Sequence, residues 1–241
     1  DEIIDYYARC GLELTKANAS ALYAHTSGWI SALYLYLLRY IKQGALENPE
    51  ALRDLVDQEV YAPLSSAARS LLFALYPVDR FSMEQAIFMD TGEDTEELLH
   101  GLQEKNSFVL YDPTTRTFAL HSILRAFLKE RFEALPISQQ RAFNRRAGDW
   151  FMEKGEIAPA IAAYYTAGDN EKCLRILEED MTNRMVTENA HLFVRFFKTC
   201  PEEVLDRHVA AGFKYALAAY VADDEQSFAW CLSWLTEKCA S

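Results

Sequence analysis

The groups in this 241-residue chain that could do chemistry are five histidines, five cysteines and 36 acidic side chains. His25, His100, His121, His191 and His208 are too dispersed to read as a metal set, so no metal is expected. Cys10, Cys173, Cys200, Cys231 and Cys239 are odd in number and never in C-x-x-C spacing. They read as buried free thiols of a reducing, cytoplasmic setting rather than as a zinc knuckle or disulfide framework. G-x-S-x-G, H-E-x-x-H, G-x-G-x-x-G and G-x-x-x-x-G-K-[ST] are all absent from the sequence. The carboxylates fall on polar helix faces and turns, so no catalytic residue is assigned and this chain by itself is expected not to be an enzyme. One placement stands out. In "TFALHSILRAFL", residues 117–128, Phe118 and Leu120 alternate as in a strand, Ser122 can cap, and Leu124, Phe127 and Leu128 recur at helical spacing. His121 sits on the joint, where a ring nitrogen can hydrogen-bond a neighbouring carbonyl.

The elements around that joint follow from apolar spacing and breakers. Ile3, Ile4, Tyr7 and Ala8 share a helical face that Gly11 stops. A second helix is expected over 16–26 with Thr15 as cap, a third from Trp29 to about Ile41, then a polar linker, "KQGALENPE", and a helix over 50–61. Leu64, Ala67, Ala68, Leu71, Leu72 and Leu75 keep helical spacing up to Pro77. Ser82 caps a short helix to Met89, and Asp94 with Glu97 forms a capping box for a helix reaching Lys105. "SFVLY" and "RTFAL" are strands joined by "DPTT". Three helices followed by a hairpin and a further helix is the order of a winged helix-turn-helix.

Beyond Pro136 the pattern is helical again, cut by Gly155 and Gly168 into short antiparallel pairs. "AIAAYYTAGDNEKCLRIL" (160–177) echoes "ALAAYVADDEQSFAWCLSWL" (216–235), with Tyr164 matching Tyr220 and Cys-Leu opening the next helix. Such echoes mark stacked, tetratricopeptide-like helical hairpins. The fold class expected is therefore mainly α, with a helical subdomain over 1–57, a winged helix with a small β-hairpin over 58–135, and helical repeats over 136–241.

Charge limits the partners. The formal net charge is −12, and residues 58–132 hold seven Lys or Arg against eleven Asp or Glu. The helix at 95–105, which a DNA-reading winged helix would lay in the major groove, carries Glu96, Glu97 and Glu104 against Lys105 alone. Direct nucleic-acid binding is therefore not expected. The longest apolar run, "WISALYLYLL", is about half of what a bilayer crossing needs, so no membrane span is expected. The chain opens on Asp1 without a Met and is expected to be a piece of a longer protein.

Five segments, in order, resemble one family: "TSGWISALYLYL" (26–37), "LLFALYPVDRFSMEQAIFMDTG" (71–92), "LLHGLQEKNSFVLYD" (98–112), "YDPTTRTFALHSILRAFLKERF" (111–132) and "FNRRAGDWFMEKGEIAPAIAAYYTAGDNEKCLRILEE" (143–179). The chain looks like the middle of an ATP-dependent LuxR-family transcriptional regulator of the maltose-activator type, in the STAND class of signal-transducing NTPases. The resemblance covers most of residues 1–180. It implies a switch: ADP holds a closed, inactive monomer, and inducer with ATP opens it into a self-associating form that binds DNA through a separate C-terminal domain. Partners implied are the protein's own NTPase and DNA-binding domains and an inducer, small molecule or protein. ATP or ADP would belong to the full-length protein, with no cofactor expected in this stretch alone.

The resemblance also carries cofactor-binding residues. Gly28 and Trp29, followed by Ile30 where the family has proline, match a G-x-P motif beside the adenine; Gly28 equally reads as a helix stop and Trp29 as a core aromatic. His121 matches a histidine that reaches the β-phosphate of bound ADP. An imidazole of ordinary pKa near 6.5 can donate to a phosphate and gains charge beside it, with further donors from Ser122 and a helix N-terminus. A nucleotide-independent scaffold that docks another protein through its repeats is the alternative.

Overall fold

Two serines start two of the helices that build the winged region. Ser65 Oγ accepts from the Ala68 N–H and Ser82 Oγ from the Gln85 N–H, each at 3.1 Å, so each hydroxyl satisfies a donor that has no partner inside the first helical turn. The protein is described by a computed structural model covering residues 2–26, 30–43, 52–90, 92, 94–104, 108–180 and 182–240. The chain divides into two units, 1–134 and 135–241.

In the first unit, α1 (Glu2–Arg9), α2 (Lys16–Thr26) and α3 (Ile30–Gln43) come first. Gly11 ends the α1 turn at φ +83°, a left-handed conformation that glycine adopts without steric cost. The Asn18 N–H donates to Thr15 Oγ1 at 3.2 Å, as the predicted cap requires. Tyr7 is fully buried, and its hydroxyl donates to the Leu33 carbonyl, which fixes α1 against α3. The linker expected over 42–50 falls almost wholly outside the described residues. The helix expected over 50–61 proves to be two: α4 (Leu52–Leu55) runs into a π-helical segment, Val56–Tyr61. Apolar spacing cannot distinguish these, because Val56 and Val60 lie inward in either geometry.

The winged region follows as α5 (Ser66–Leu75), β1 (Arg80–Phe81), α6 (Met83–Met89), α7 (Thr95–Glu104), β2 (Val109–Asp112), β3 (Thr117–Leu120) and α8 (Ser122–Glu133). The sheet is antiparallel in the order β1-β3-β2. Phe118 of β3 stands opposite both Phe81 and Tyr111. Its ring stacks on Phe81 at 5.9 Å and tilts against Tyr111 at 4.8 Å, the cross-strand pairing that holds so small a sheet together. β1 was not expected, because two residues are too short to show alternation. In the wing, Asp112 Oδ1 accepts from the Thr114 N–H at 2.9 Å and Arg116 takes φ +54°. Leu71, Leu72, Leu75, Leu99, Leu124 and Leu128 are fully enclosed and form the core. Beside it, the Thr95 hydroxyl donates to the buried carboxylate of Asp90 at 2.8 Å.

The second unit is helical throughout: α9 (Ile137–Glu153), α10 (Ile157–Thr166), α11 (Asn170–Glu179), α12 (Arg184–Glu188), α13 (Ala190–Thr199), α14 (Glu202–Leu205), α15 (Val209–Val221) and α16 (Glu225–Ala240). Gly155 at φ +73° and Gly168 at φ +72° turn α9 into α10 and α10 into α11, and Asp223 takes the same left-handed role before α16. The echoed cysteines agree in environment: Cys173 and Cys231 are buried, and each thiol donates to a carbonyl of a preceding helix, Ile161 and Gly212. The echoed tyrosines do not, since Tyr164 is buried and Tyr220 is exposed. A closer likeness joins α9/α10 to α15/α16. A Cβ at Gly148 would lie 2.5 Å from the Tyr164 ring, and one at Gly212 would lie 2.4 Å from Trp234. In both pairs a glycine lets an aromatic ring of the next helix rest on backbone.

No described helix is long and apolar enough to cross a membrane.

Candidate functional site

His121 is placed by β3 and α8. Its N–H donates to the Phe108 carbonyl at 2.8 Å, which continues the pairing beyond the end of the hairpin. Phe108 itself has φ +62°, a conformation uncommon for a bulky residue, and its ring meets the imidazole edge-on at 6.0 Å. α8 starts at Ser122, and the residue that caps it is His121, not the Ser122 that the sequence favours. At φ −59° and ψ 145° the chain is still extended at His121, which aims its side chain back at the first turn. Nδ1 accepts from the Ile123 N–H at 3.2 Å, with Ser122 Oγ 3.5 Å away.

That bond fixes the ring's chemistry. A nitrogen that accepts carries no proton, so the cap assigns the neutral tautomer with its hydrogen on Nε2. Partial burial acts in the same direction and holds the His121 pKa below the usual imidazole value. The result is a neutral ring that can donate through Nε2, mounted at a helix N-terminus whose dipole favours anions.

α8 is held on both sides. Arg125 pairs with Asp79 at 2.8 Å, donates to the Val78 carbonyl at 2.8 Å and lies over the Tyr76 ring. Further along, Arg131 pairs with Asp57 at 2.8 Å and covers the Phe127 and Tyr61 rings, while Arg53 meets Glu130. The exposed pairs contribute little individually; together with the ring contacts they fix the helix that carries His121.

Gly28 and Trp29, the other two residues expected to bind nucleotide, lie outside the described residues. The next residue, Ile30, is exposed and lines a cleft of about 680 Å³ with Tyr6, Lys16, Ser20, Tyr23 and Leu33. Its aromatic and aliphatic walls carry a few polar groups, the Lys16 ammonium, the Glu2 carboxylate and the hydroxyls of Ser20, Tyr6 and Tyr23, which gives it the character of a small-ligand cleft. His121 is not among its lining residues.

The remaining titratable residues are dispersed. His100 faces Glu96 on α7, His191 is exposed on α13, and the side chain of His25 is outside the described set. Among the described residues no group of three or more His, Cys, Asp and Glu is arranged to hold a metal ion. All five cysteines are free thiols, but only Cys173, Cys200 and Cys231 are buried, whereas Cys10 and Cys239 are exposed because their helix ends face solvent. Burial pushes the Cys173 thiol up to about 12, so it is inert. One constellation escaped the sequence reading: His208 lies between Glu171 and Glu178 of α11, with 2.8 Å from each ring nitrogen to a carboxylate oxygen. The only sequence signal for it is two glutamates seven residues apart, and nothing links them to a histidine thirty residues on.

Comparison with known proteins identifies the region that holds His121. Residues 57–141 match the family profile of the MalT winged helix domain. The match begins in the π-helical segment, covers α5 to α8, and ends in α9. Over 182 residues the chain is 24% identical to proteins named serine/threonine-protein kinase PknK from Mycobacterium tuberculosis and Mycobacterium bovis. That alignment takes in 72% of this chain and 16% of each relative, so the chain spans about a sixth of their length.

Proposed function

We propose that this chain is the switch and sensor segment of a MalT-type, ATP-dependent LuxR-family regulator of the STAND class, acting in signal transduction in the bacterial cytoplasm. The match of residues 57–141 to the MalT winged helix domain carries this reading. Its winged helix helps to hold ADP in the inactive state through His121, and its helical repeats meet an inducer or partner protein. The neutral, Nε2-protonated ring at the start of α8 supports that role, because it donates to a phosphate oxygen without first having to gain a proton. The Ile30 cleft, next in sequence to Gly28 and Trp29, supplies the kind of wall an adenine ring packs on. Phosphate cradling and hydrolysis belong to an NTPase core outside this chain, and DNA binding to a further domain. The segment contributes bias between two states and no catalytic group. The relatives' name assigns a kinase activity to them; with 16% of their length matched, it is not carried to this chain.

The decisive experiment is His121→Ala in the longer protein, with His121→Asn beside it. Asparagine keeps the cap and removes the imidazole. Both variants should release ADP faster and raise basal activity. Unchanged ADP retention and basal activity in both would exclude the role.

A second reading, a nucleotide-independent scaffold, is favoured by exposed aromatics on the second unit. Phe213 and Tyr220 lie seven residues apart on α15 and are 60% and 71% exposed. This reading expects partner capture that is indifferent to added ADP or ATP.

A further inference from the structure

The arrangement at His208 imposes its own protonation state. Glu171 and Glu178 are two turns apart on one face of α11, about 10 Å along the axis. The imidazole of His208, the residue that precedes α15, bridges them, with Nδ1 2.8 Å from Glu178 Oε2 and Nε2 2.8 Å from Glu171 Oε2. Ionised carboxylates only accept, so both ring nitrogens must donate, which only the imidazolium does. A neutral ring would turn a lone pair on one of the two carboxylates at hydrogen-bonding distance. The His208 side chain is 12% exposed, so water has little access to its ring nitrogens, whereas the carboxylates are more open to solvent.

We propose that His208 is a proton-dependent latch: as imidazolium it ties both ends of α11 to the start of α15, and on losing its proton it releases that end of α15.

The charges around it favour the closed form. Arg207 pairs with Glu171 from the same loop as His208. With His208 charged, two cations face two carboxylates; with it neutral, one negative charge is uncompensated. Desolvation opposes charging the ring, but the hydrogen bonds to Glu178 and Glu171 outweigh it and raise the His208 pKa above the usual value. Hydrogen bonds from His208 and then Arg207 hold the Glu171 carboxyl below its usual value. Cys200 packs near Glu171 from the end of α13, and with its thiol pushed up to about 11 it stays neutral over the working range. At the far end of α11, Lys214 of α15 bonds the Asp180 carbonyl and Asn183 and lies 3.7 Å from the Asp180 carboxylate. These contacts do not involve the imidazole, so the later part of α15 stays attached when the latch opens.

The direction follows from linkage. A histidine whose folded pKa is raised stabilises fully below its unfolded value of about 6.5, and that contribution is lost as pH rises through the raised value. Nitrogen-correlated NMR of the full chain should show both His208 ring nitrogens protonated at pH 6.5, with the ring losing its proton only above that value. Amide exchange at the start of α15, corrected for its intrinsic pH dependence, should rise through the same range. His208→Gln should abolish that rise. Glu178→Gln, which leaves the Glu171 pair in place, should shift the His208 midpoint down and keeps the test open if the first variant does not fold. The latch is overturned if His208 titrates at or below 6.5, if Glu178→Gln leaves its midpoint unmoved, or if exchange at α15 has the same pH profile in wild type and His208→Gln.

Discussion

A histidine that caps a helix must keep a lone pair on the nitrogen that accepts, and His121 shows the consequence. Protonation would turn Nδ1 into a donor facing the Ile123 N–H. The lowered pKa makes the sign opposite to that of His208: the contribution of His121 is complete above about 6.5 and is lost as pH falls from there through its folded value. His121→Ala should cost about 1 kcal/mol through the lost cap, and His121→Asn only a few tenths, in denaturant unfolding at neutral pH. Equal losses in the two variants would show that the ring stabilises by packing on Phe108 and not by capping. Thr95 makes a comparable case inside the winged region. Removing its hydroxyl leaves the buried Asp90 carboxylate one donor short, so Thr95→Val should cost on the order of 1–3 kcal/mol, and Thr95→Ser much less.

At the scale of elements, helix pairs in the second unit depend on close approach. The ring of Tyr164 rests on Gly148, donates from its hydroxyl to Asp149 at 2.8 Å, and lies under the ammonium of Lys172, which itself bonds Asp149. A methyl group at 148 would have to displace a buried ring held at both its face and its tip. Gly148→Ala should therefore lower stability by about 1–3 kcal/mol despite alanine's better helix propensity, with the loss read as a shift in denaturation midpoint. In the winged region, α7 is the helix that a DNA reader would offer to the groove, and its exposed side is acidic at Glu96, Glu97 and Glu104. Fluorescence anisotropy with duplex DNA at about 50 mM salt should show no binding, since an acidic face repels phosphates instead of displacing their counterions. Salt-sensitive affinity would contradict this.

At the scale of the molecule, each unit has its own core. The cluster that includes Tyr164, Phe193, Phe196, Phe197 and Trp234 lies wholly within residues 135–241. That stretch expressed alone should unfold in one cooperative transition monitored by far-UV circular dichroism; gradual loss of signal would count against an independent core. The two histidines lie at joints within their own units: one between a wing and its last helix, the other between α11 and α15.

What the sequence determined by itself was local. Ser82, Thr15, Gly11, Gly155 and Gly168 act through neighbours a few residues away, so caps, stops and the helix–hairpin order of the winged region were readable from spacing. What only the tertiary structure decided required partners far apart in the chain or backbone angles that no residue type announces. The two-residue β1 exists because Phe81 finds Phe118, and Tyr164 and Tyr220 match in sequence yet differ in burial because helix packing covers one of them. His121 caps α8 in place of Ser122 because the chain stays extended one residue less than hydroxyl preference suggests. His208 meets Glu171 and Glu178 only when α15 packs on α11. Propensity and capping are short-range forces written into adjacent residues, whereas protonation states are set by whatever the fold brings within hydrogen-bonding distance of a ring.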